Sequence, residues 1–367
     1  MQKSIYYGVF SIVAFVSCLW LVLIQDTDAP KTQPQETQLT TWNPIHPFLN
    51  ARRAFAAANS QHHIYLLGGV DKDGRYLNSV EFAPIHDDGS LGTWQETTPL
   101  NNARFYLSAS IIDNYIYAIG GADGPLGEDN LPSATVEKAE ILPNGQLGPW
   151  QLQAYLTTPR RGLQSVVYGP HIYALGGYNG QFLKTVERAK IDAHGNIENW
   201  IEEPLPFIID RYIHSAAIYD NRIYLIAGHV EKQNKMSYAD VESARIEEDG
   251  SLSEWRIEKS KLNTPRFIAS AIGMNQNLYI AGGHDGADRL THVEYASIQN
   301  DGSLSDWKYT LPLHTARSAT VLLSHANNLY ILGGAGGQHV LNSVETSQQL
   351  PSGKLIATAP RHSPTEQ

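Results

Sequence analysis

Short apolar runs that end in a glycine pair recur along the chain and organise its hydrophobic pattern. Each run places apolar side chains over about five residues, which is typical of a short and largely buried β-strand. The six copies are HIYLLGG (63–69), YIYAIGG (115–121), HIYALGG (171–177), RIYLIAG (222–228), NLYIAGG (277–283) and NLYILGG (328–334). A spacing of about 50 to 56 residues between copies indicates a repeat architecture.

Four further landmarks follow the first five runs in the same order, and the first two of them also follow the sixth run. A glutamate stands after a valine at Glu81, Glu137, Glu187, Glu242, Glu294 and Glu345. A turn glycine follows at Gly89, Gly145, Gly195, Gly250, Gly302 and Gly353. A tryptophan stands five residues after the turn glycine at Trp94, Trp150, Trp200, Trp255 and Trp307. An arginine comes ten or eleven residues later at Arg104, Arg160, Arg211, Arg266 and Arg317.

These landmarks predict four short strands in each copy. The arginine precedes an apolar strand, a hairpin leads to the strand that ends in the glycine pair, and a longer loop leads to the Val-Glu strand. An Asp-Gly or Asn-Gly turn then precedes the tryptophan strand. Four antiparallel strands repeated around an axis form the blades of a β-propeller. The sequence therefore predicts an all-β fold, a six-bladed propeller over residues 41–358.

The last copy is incomplete, and the missing strand is found at the other end of the repeat region. Thr358 occupies the place of the sixth tryptophan, whereas Trp42 lies ten residues before Arg52, as Trp94 does before Arg104. We expect the N-terminal strand to complete the last blade and close the ring. Closure removes the free sheet edges that otherwise promote aggregation.

The glycine pair, the tyrosine before it, the later tryptophan and the arginine that opens the next unit resemble kelch repeats. The resemblance covers nearly all of residues 41–358. It implies the fold, but kelch propellers serve as enzymes, substrate receptors and scaffolds, so it does not imply one function. In kelch proteins the opening arginines stand near the central channel, and the same position is expected here.

Residues present in every blade are expected to be structural, because a ligand site is seldom six-fold. The glycines provide positive φ, the Val-Glu carboxylates make hydrogen bonds or ion pairs, and the tyrosines and tryptophans pack between blades with their polar tips hydrogen-bonded. The structural glycines are Gly69, Gly121, Gly177, Gly228, Gly283 and Gly334, the tyrosines are Tyr65, Tyr117, Tyr173, Tyr224, Tyr279 and Tyr330, and the tryptophans include Trp42.

The N-terminal segment predicts a membrane anchor. Residues 5–24 are uncharged and long enough to cross a bilayer as a helix. Lys3 before the run and Asp26 and Asp28 after it place the propeller on the periplasmic or extracellular side, in a bacterial envelope. A cleaved signal peptide is the alternative. The predicted organisation is an anchor over 1–25, a flexible stalk over 26–40, the propeller, and a disordered tail over 359–367.

Composition excludes several classes of function. A net charge of −10 disfavours binding to nucleic acid, and hydrophobic residues at 42% can form a core. The only cysteine, Cys18, excludes a disulfide framework and the cross-linked tyrosine of copper-radical oxidases that resemble this fold. No iron-binding ExxxDxxxH pattern is present, so no metal or other cofactor is predicted.

Departures from the repeat predict where a partner binds. In kelch proteins the loop after the glycine pair and the loop before the arginine emerge on one face, and the first loop varies strongly between the copies here. We predict a ligand-binding rim made of Arg53, Arg161, Tyr178, Tyr212, His229, Phe267, His284 and His339. Such side chains can hold a protein or a glycan of the envelope or the exterior by stacking and bidentate hydrogen bonds. The alternative is that they are ordinary solvated loop residues.

An enzymatic function is the second hypothesis. Periplasmic kelch propellers that interconvert the anomers of sialic acid are similar in blade number and compartment. That chemistry needs an acid–base pair at the channel mouth. The candidates are Glu231 or Asp285 beside His229 or His284. The first hypothesis, a binding module without catalysis, is preferred.

Overall fold

The structure is a computed structural model that describes residues 38–123, 131–229 and 236–350. The described strands form six sheets arranged as blades, plus a two-stranded hairpin. β1 (Gln38–Leu39) and β2 (Asn43–Ile45) precede blade I, which contains β3 (Ala56–Asn59), β4 (His63–Leu67), β5 (Val80–Pro84) and β6 (Gln95–Thr97). Blade II contains β7 (Ser108–Ile112), β8 (Tyr115–Ile119), β11 (Val136–Glu140) and β12 (Gln151–Leu152), and the hairpin β9 (Ala122–Asp123) and β10 (Leu131–Pro132) lies between β8 and β11.

The remaining blades follow in chain order. Blade III contains β13 (Gln164–Tyr168), β14 (His171–Leu175), β15 (Val186–Ile191) and β16 (Ile197–Glu202). Blade IV contains β17 (Ser215–Tyr219), β18 (Arg222–Ile226), β19 (Val241–Arg245) and β20 (Arg256–Ile257). Blade V contains β21 (Ser270–Met274), β22 (Asn277–Ala281), β23 (Val293–Ser297) and β24 (Lys308–Tyr309), and blade VI contains β25 (Val321–His325), β26 (Asn328–Gly336) and β27 (His339–Leu350).

The innermost strands form a closed ring. In blades I to V the four strands pair antiparallel in chain order, as predicted. The first strand of each blade contacts the first strand of the next, and β25 of blade VI packs against β3 of blade I. The predicted all-β, six-bladed propeller is therefore confirmed.

The N-terminal strand completes blade VI. β2 pairs antiparallel with β27, with Pro44 opposite Glu345. β1 also pairs with β27, so residues 38–40 extend the sheet although they were predicted to belong to the stalk. The reason is Leu39, which is 1% exposed and packs in the same apolar cluster as Trp42.

The blade tryptophans lie between blades. In the described part of the chain, six large apolar clusters each combine side chains from two neighbouring blades, and each cluster contains one tryptophan. Trp150 of blade II, for example, packs in a cluster with Tyr65 and Phe82 of blade I. Burial of these aromatic faces against the next blade is the main stabilising contribution that one blade cannot supply alone.

The repeated tyrosines connect each blade to the next. Five of the six hydroxyls donate a hydrogen bond to the carbonyl of the turn glycine in the following blade, in the pairs Tyr65–Gly145, Tyr117–Gly195, Tyr173–Gly250, Tyr224–Gly302 and Tyr330–Gly89. Trp42, Trp150 and Trp200 also donate to backbone carbonyls. The tryptophan side chains were expected to form hydrogen bonds through their indole N–H groups. This expectation was wrong for Trp94, Trp255 and Trp307, whose indole nitrogens have no hydrogen-bond partner among the described residues.

The glycine pairs adopt the positive φ that was predicted. Gly69 has φ 101°, and a Cβ there would lie 2.7 Å from Phe55 Cβ and 2.8 Å from the Arg53 carbonyl oxygen. A larger residue would push the loop away from the first strand of the same blade. Blade IV carries Ala227 at the first position of the pair, with φ 61°.

The opening arginines do not line the channel. All six are 0–1% exposed, and each forms an ion pair with the Val-Glu glutamate of its own blade. Arg160 donates to Glu187 at 2.6 Å and to the carbonyls of Gly176 and Thr185, while Glu187 accepts the backbone N–H of Thr157. Internal acceptors hold the guanidinium inside the blade, so the arginines precede the residues that line the channel without lining it themselves, and the predicted structural role of the glutamates is confirmed.

The predicted anchor over 1–25, most of the stalk and the tail over 359–367 lie outside the described residues, as do Gly353 and Thr358. Within the described ranges, no helix has the length and apolar character needed to cross a membrane.

Candidate functional site

Six residues form a ring of backbone hydrogen bonds around the central channel. Each follows the repeated arginine by two positions, has a φ of 45–60°, and donates its N–H to the carbonyl of the equivalent residue in the preceding blade. This channel belt consists of Ala54, Tyr106, Gly162, Ile213, Ile268 and Ala319, with N···O distances of 2.7–3.2 Å. Positive φ is costly for the five residues that are not glycine, and the hydrogen bonds on both sides hold them there.

The belt and the innermost strands enclose the central cavity, which measures about 320 Å³. Its lining below the belt is mainly small and apolar, and includes Ala57, Ala109, Ile111, Ala216 and Ile218. The same lining also contains polar side chains, among them Ser108, Ser110, Gln164 and Ser165.

A second ring of β-bridges surrounds the belt. In every blade the residue after the repeated arginine is bridged to the residue after the glycine pair. The twelve residues of this bridge ring are Arg53–Val70, Phe105–Ala122, Arg161–Tyr178, Tyr212–His229, Phe267–His284 and Ser318–Ala335. Seven of the eight predicted rim residues belong to it, so the structure brings them together. His339 does not, since it lies exposed at the start of β27, opposite Gly336.

Nine aromatic rings form a continuous wall on this face. Successive ring centroids lie 4.6–6.1 Å apart along the path Tyr76, Phe105, Tyr106, Tyr212, Tyr178, Phe182, His229, Phe267 and His284. Most of these side chains are half-buried, so one face of the wall is accessible. Such an aromatic wall offers a large, rigid and partly polar contact area to a ligand.

The wall covers blades I to V and ends at blade VI. There the bridge ring and the belt carry only Ser318, Ala319 and Ala335. Ala54 of the channel belt extends this sector of small side chains into blade I. The site is therefore a cleft at the channel mouth, with aromatic side chains around most of it and small residues on the remaining side.

Arginine side chains supply the charge of the cleft. The Arg161 guanidinium lies 5.1 Å from the centre of the Tyr178 ring and 5.9 Å from that of Tyr212, close enough for cation–π attraction. Arg53 is exposed. Burial raises the pKa of the Tyr106 phenol, and the nearby charges of Arg53 and Arg161 oppose this effect.

Sequence reasoning missed Tyr76, Phe105, Tyr106 and Phe182. Phe105 and Tyr106 follow the repeated Arg104, and the pattern assigned them to the apolar first strand of their blade. Their position relative to Arg104 is the same as that of Arg53 and Ala54 relative to Arg52, and this equivalence could have identified them.

The described catalytic candidates Asp285, His229 and His284 are not joined to one another by a hydrogen bond or an ion pair. The Asp285 carboxylate accepts the N–H groups of Ala287 and Asp288 within its own loop, and these bonds lower its pKa. His284 Nδ1 accepts the Gly286 N–H at 3.0 Å. Glu231 lies outside the described residues.

The two candidate histidines are separated by an aromatic ring. His229 Nδ1 lies 2.7 Å from the Met236 carbonyl, to which it donates, and Phe267 stands between His229 and His284 with centroid distances of 5.7 and 5.4 Å. Within the described ranges, no group of three or more histidine, cysteine or acidic residues is arranged to hold a metal ion.

Comparisons with known proteins agree with this architecture. A family model for the Kelch motif matches residues 159–188. Alpha-scruin of Limulus polyphemus is 25% identical over 279 residues, which are 74% of this chain and 29% of the relative. Kelch-like protein 26 of Danio rerio is 24% identical over 278 residues, which are 72% of this chain and 41% of the relative. The chain thus spans less than half the length of these relatives.

The solved structure of YjhT superposes with a TM-score of 0.62 at 15% identity, over 83% of this chain and 95% of that one. At this identity the superposition supports the fold alone. The closed ring of four-stranded sheets defines a six-bladed β-propeller. With the glycine pairs, the interblade tryptophans and the matched motif, the chain is a kelch-repeat β-propeller.

Proposed function

We propose that the protein is a binding module without catalytic activity, and that the cleft at the channel mouth binds a partner protein of the envelope or the exterior. The aromatic wall is the observation that carries this proposal. Its rings come from five blades and are not part of the six-fold interblade packing, so the ring of tyrosines and tryptophans that holds the propeller together does not explain them.

The chemistry of the wall suits a protein partner. Aromatic and arginine side chains are enriched in the contact centres of protein interfaces, where they provide rigid apolar area and bidentate hydrogen bonds. Kelch propellers are typically protein-binding modules, and the relatives named above are in keeping with this role. A glycan that stacks on the same rings is the alternative occupant, and the capture experiment below distinguishes the two.

Affinity capture with paired variants tests this function. Tyr212→Ala and Phe182→Ala remove parts of the wall, whereas Tyr309→Ala and Ile201→Ala remove side chains that are each 53% exposed on outer strands. We expect the wall variants to lose a retained protein that the outer-strand variants still bind. Equal retention by all four variants contradicts the proposal, and loss of a retained glycan in place of a protein assigns the cleft to a carbohydrate.

The proposal includes attachment to a membrane through residues 5–24, with the propeller on the outer side. It rests on the uncharged length of that segment and on the charges that flank it. Protease added to spheroplasts, from which the outer layers of the envelope have been removed, is expected to cleave the chain outside the membrane, and alkaline extraction is expected to leave the full chain in the membrane fraction of untreated cells. Protection from protease in spheroplasts contradicts this location.

The sugar isomerase hypothesis has less support. Of its candidate groups, Asp285 is engaged in its own turn and His284 Nδ1 accepts a backbone N–H. We expect the full chain to leave the rate of sialic acid anomer interconversion unchanged. A catalysed rate that His284→Ala or Asp285→Ala abolishes would favour the enzyme.

A further inference from the structure

Two arginines, Arg53 and Arg161, lie on either side of the Tyr106 phenol at the mouth of the channel. The Tyr106 N–H donates to the Ala54 carbonyl at 2.7 Å, and the Tyr106 carbonyl accepts the Gly162 N–H at 2.8 Å. Arg53 and Arg161 directly precede these two neighbours. The belt therefore fixes both arginines on either side of Tyr106, although they come from blades I and III.

Tyr106 is an exception among the belt residues. The other five are alanine, glycine or isoleucine, so Tyr106 is the one belt residue with a side-chain hydroxyl, and it adopts the positive φ of the belt at 49°. Its ring is held against Phe105 at 5.2 Å and Tyr212 at 6.1 Å between centroids. The strained tyrosine thus occupies a packed position.

Among the described residues, the charges that act on the Tyr106 phenol are those of Arg53 and Arg161, although the whole chain carries a net charge of −10. None of the twelve residues of the bridge ring is acidic, and Arg53 and Arg161 are both among them. Guanidinium groups donate in a planar fork that matches a carboxylate, and a phenol can donate a third hydrogen bond. The faces of Tyr178 and Tyr212 lie beside Arg161 and can stack on whatever carries the anion.

We propose that Arg53, Tyr106 and Arg161 form a carboxylate-binding site, and that the group carrying the carboxylate stacks on Tyr212 and Tyr178. This inference rests on the proposed function, because an Asp or Glu side chain or a C-terminal carboxylate is the anion that an unmodified protein presents. A free acidic sugar offers the same chemistry from a second source.

Titration of the full chain with benzoate, benzamide and inorganic phosphate tests the site. Benzoate combines a carboxylate with a ring that can stack, and benzamide differs only in charge. We expect saturable benzoate binding, a dissociation constant raised about tenfold by Arg53→Gln or Arg161→Gln, and a smaller rise for Tyr106→Phe. Arg245→Gln is the matched control, since Arg245 is exposed and pairs with Glu247 at the end of blade IV's third strand.

Several results would overturn the inference. These are absence of saturable benzoate binding, equal binding of benzamide, stronger binding of phosphate, or arginine variants that behave like Arg245→Gln. If the wall variants lose the captured protein while benzoate fails to bind, the carboxylate site is wrong and the binding module stands. If benzoate binds as expected but the wall variants retain the protein, the protein-binding function fails and the anion site stands.

A second pair of probes distinguishes the source of the carboxylate. Acetyl-Gly-Glu-Gly-amide is compared with its glutamine counterpart, and glucuronate with glucose. A larger preference for the acid in the peptide pair supports a protein ligand at the site, and a larger preference in the sugar pair supports an acidic sugar. Absence of a preference in both pairs contradicts the site.

Discussion

Gly334 in the last blade donates its backbone N–H to the carbonyl of Arg52 at the start of the first blade, at 3.0 Å. The same bond joins Gly69 to Arg104 and Gly121 to Arg160 at 2.9 and 3.0 Å. The junction between the chain's two ends is therefore built like the junctions between consecutive blades. Closure depends on the N-terminal strand that carries Trp42 into blade VI.

Trp42→Ala is expected to destabilise the propeller by about 3–5 kcal/mol, the usual cost of deleting a buried large aromatic side chain. Trp42 is 2% exposed and its indole also donates to the Leu311 carbonyl. Chemical denaturation measures the change in the free energy of unfolding. Leu49→Ala is the control, because Leu49 is 52% exposed and should change stability by less than about 0.5 kcal/mol. Equal effects of the two substitutions contradict the closing role of Trp42.

Arg160→Met is expected to destabilise by about 3–5 kcal/mol, because it leaves the Glu187 carboxylate buried without its cation. The double variant Arg160→Met with Glu187→Gln should recover part of this loss. Arg245→Met, whose partner Glu247 is exposed, should cost less than about 1 kcal/mol. Thermal and denaturant unfolding measure all three. A loss for Arg160→Met no larger than that for Arg245→Met would show that the buried pair does not matter.

Comparison of Gly121→Ala with Gly180→Ala separates the cost of a positive φ from the cost of a Cβ clash, because the two glycines have similar φ angles. Gly121 has φ 99° and Gly180 φ 107°, but a Cβ at Gly121 would lie 2.9 Å from both Leu107 Cβ and the Phe105 carbonyl oxygen, whereas a Cβ at Gly180 meets nothing within 4 Å. Both should lose about 1–2 kcal/mol from the positive φ, and Gly121→Ala about 1–3 kcal/mol more from the clash. Unfolding midpoints provide the measurement, and equal losses would contradict the close approach of loop and strand.

His214 predicts a pH dependence of stability. It is 1% exposed between blades III and IV, and neither ring nitrogen has a hydrogen-bond partner among the described residues. Burial, and to a smaller extent the charge of Arg211, lower its pKa from 6.5 to about 3. Below pH 6.5 the His214 imidazole is protonated in the unfolded chain but stays neutral in the folded chain. The free energy of unfolding therefore falls as the pH drops from 6.5 towards 3.

The expected contribution is a loss of about 2 kcal/mol between pH 7 and pH 5. His214→Leu places the residue that blades II and III carry at this position, Leu107 and Leu163, and should remove this part of the pH dependence. The variant should also be more stable at pH 7, because it removes a buried polar group without a partner. The difference between the two proteins is measured by urea unfolding at several pH values. A difference that does not change with pH rules out the buried neutral imidazole.

The repeat made the fold predictable, because six copies of the same landmarks define strand order and closure. The burial of the repeated arginines could not be predicted from the sequence in the same way. A charged residue before a strand suggests exposure, and the glutamate that neutralises Arg160 stands 27 residues further along the chain. The extra strand around Leu39 was not predicted, because a single apolar residue in a polar segment does not produce the alternating pattern of a β-strand.

The cleft was predicted in part. The variable loops drew attention to positions such as Tyr178 and His229, which the bridge ring brings together. Tyr106 was hidden because it belongs to the apolar first strand by pattern, whereas its positive φ takes its backbone into the channel belt. That conformation depends on hydrogen bonds to two other blades, and a single copy of the repeat does not reveal them.

Site-specific photo-crosslinking tests the central claim most directly. A benzoylphenylalanine is placed at Phe182 in the aromatic wall or at the exposed outer-strand residue Tyr309, and cells producing the full chain are irradiated. The binding account predicts a cross-linked protein adduct from position 182 and none from position 309. Adducts from position 309 with no adduct from position 182 would show that the partner binds the outer edge of the propeller instead of the channel mouth.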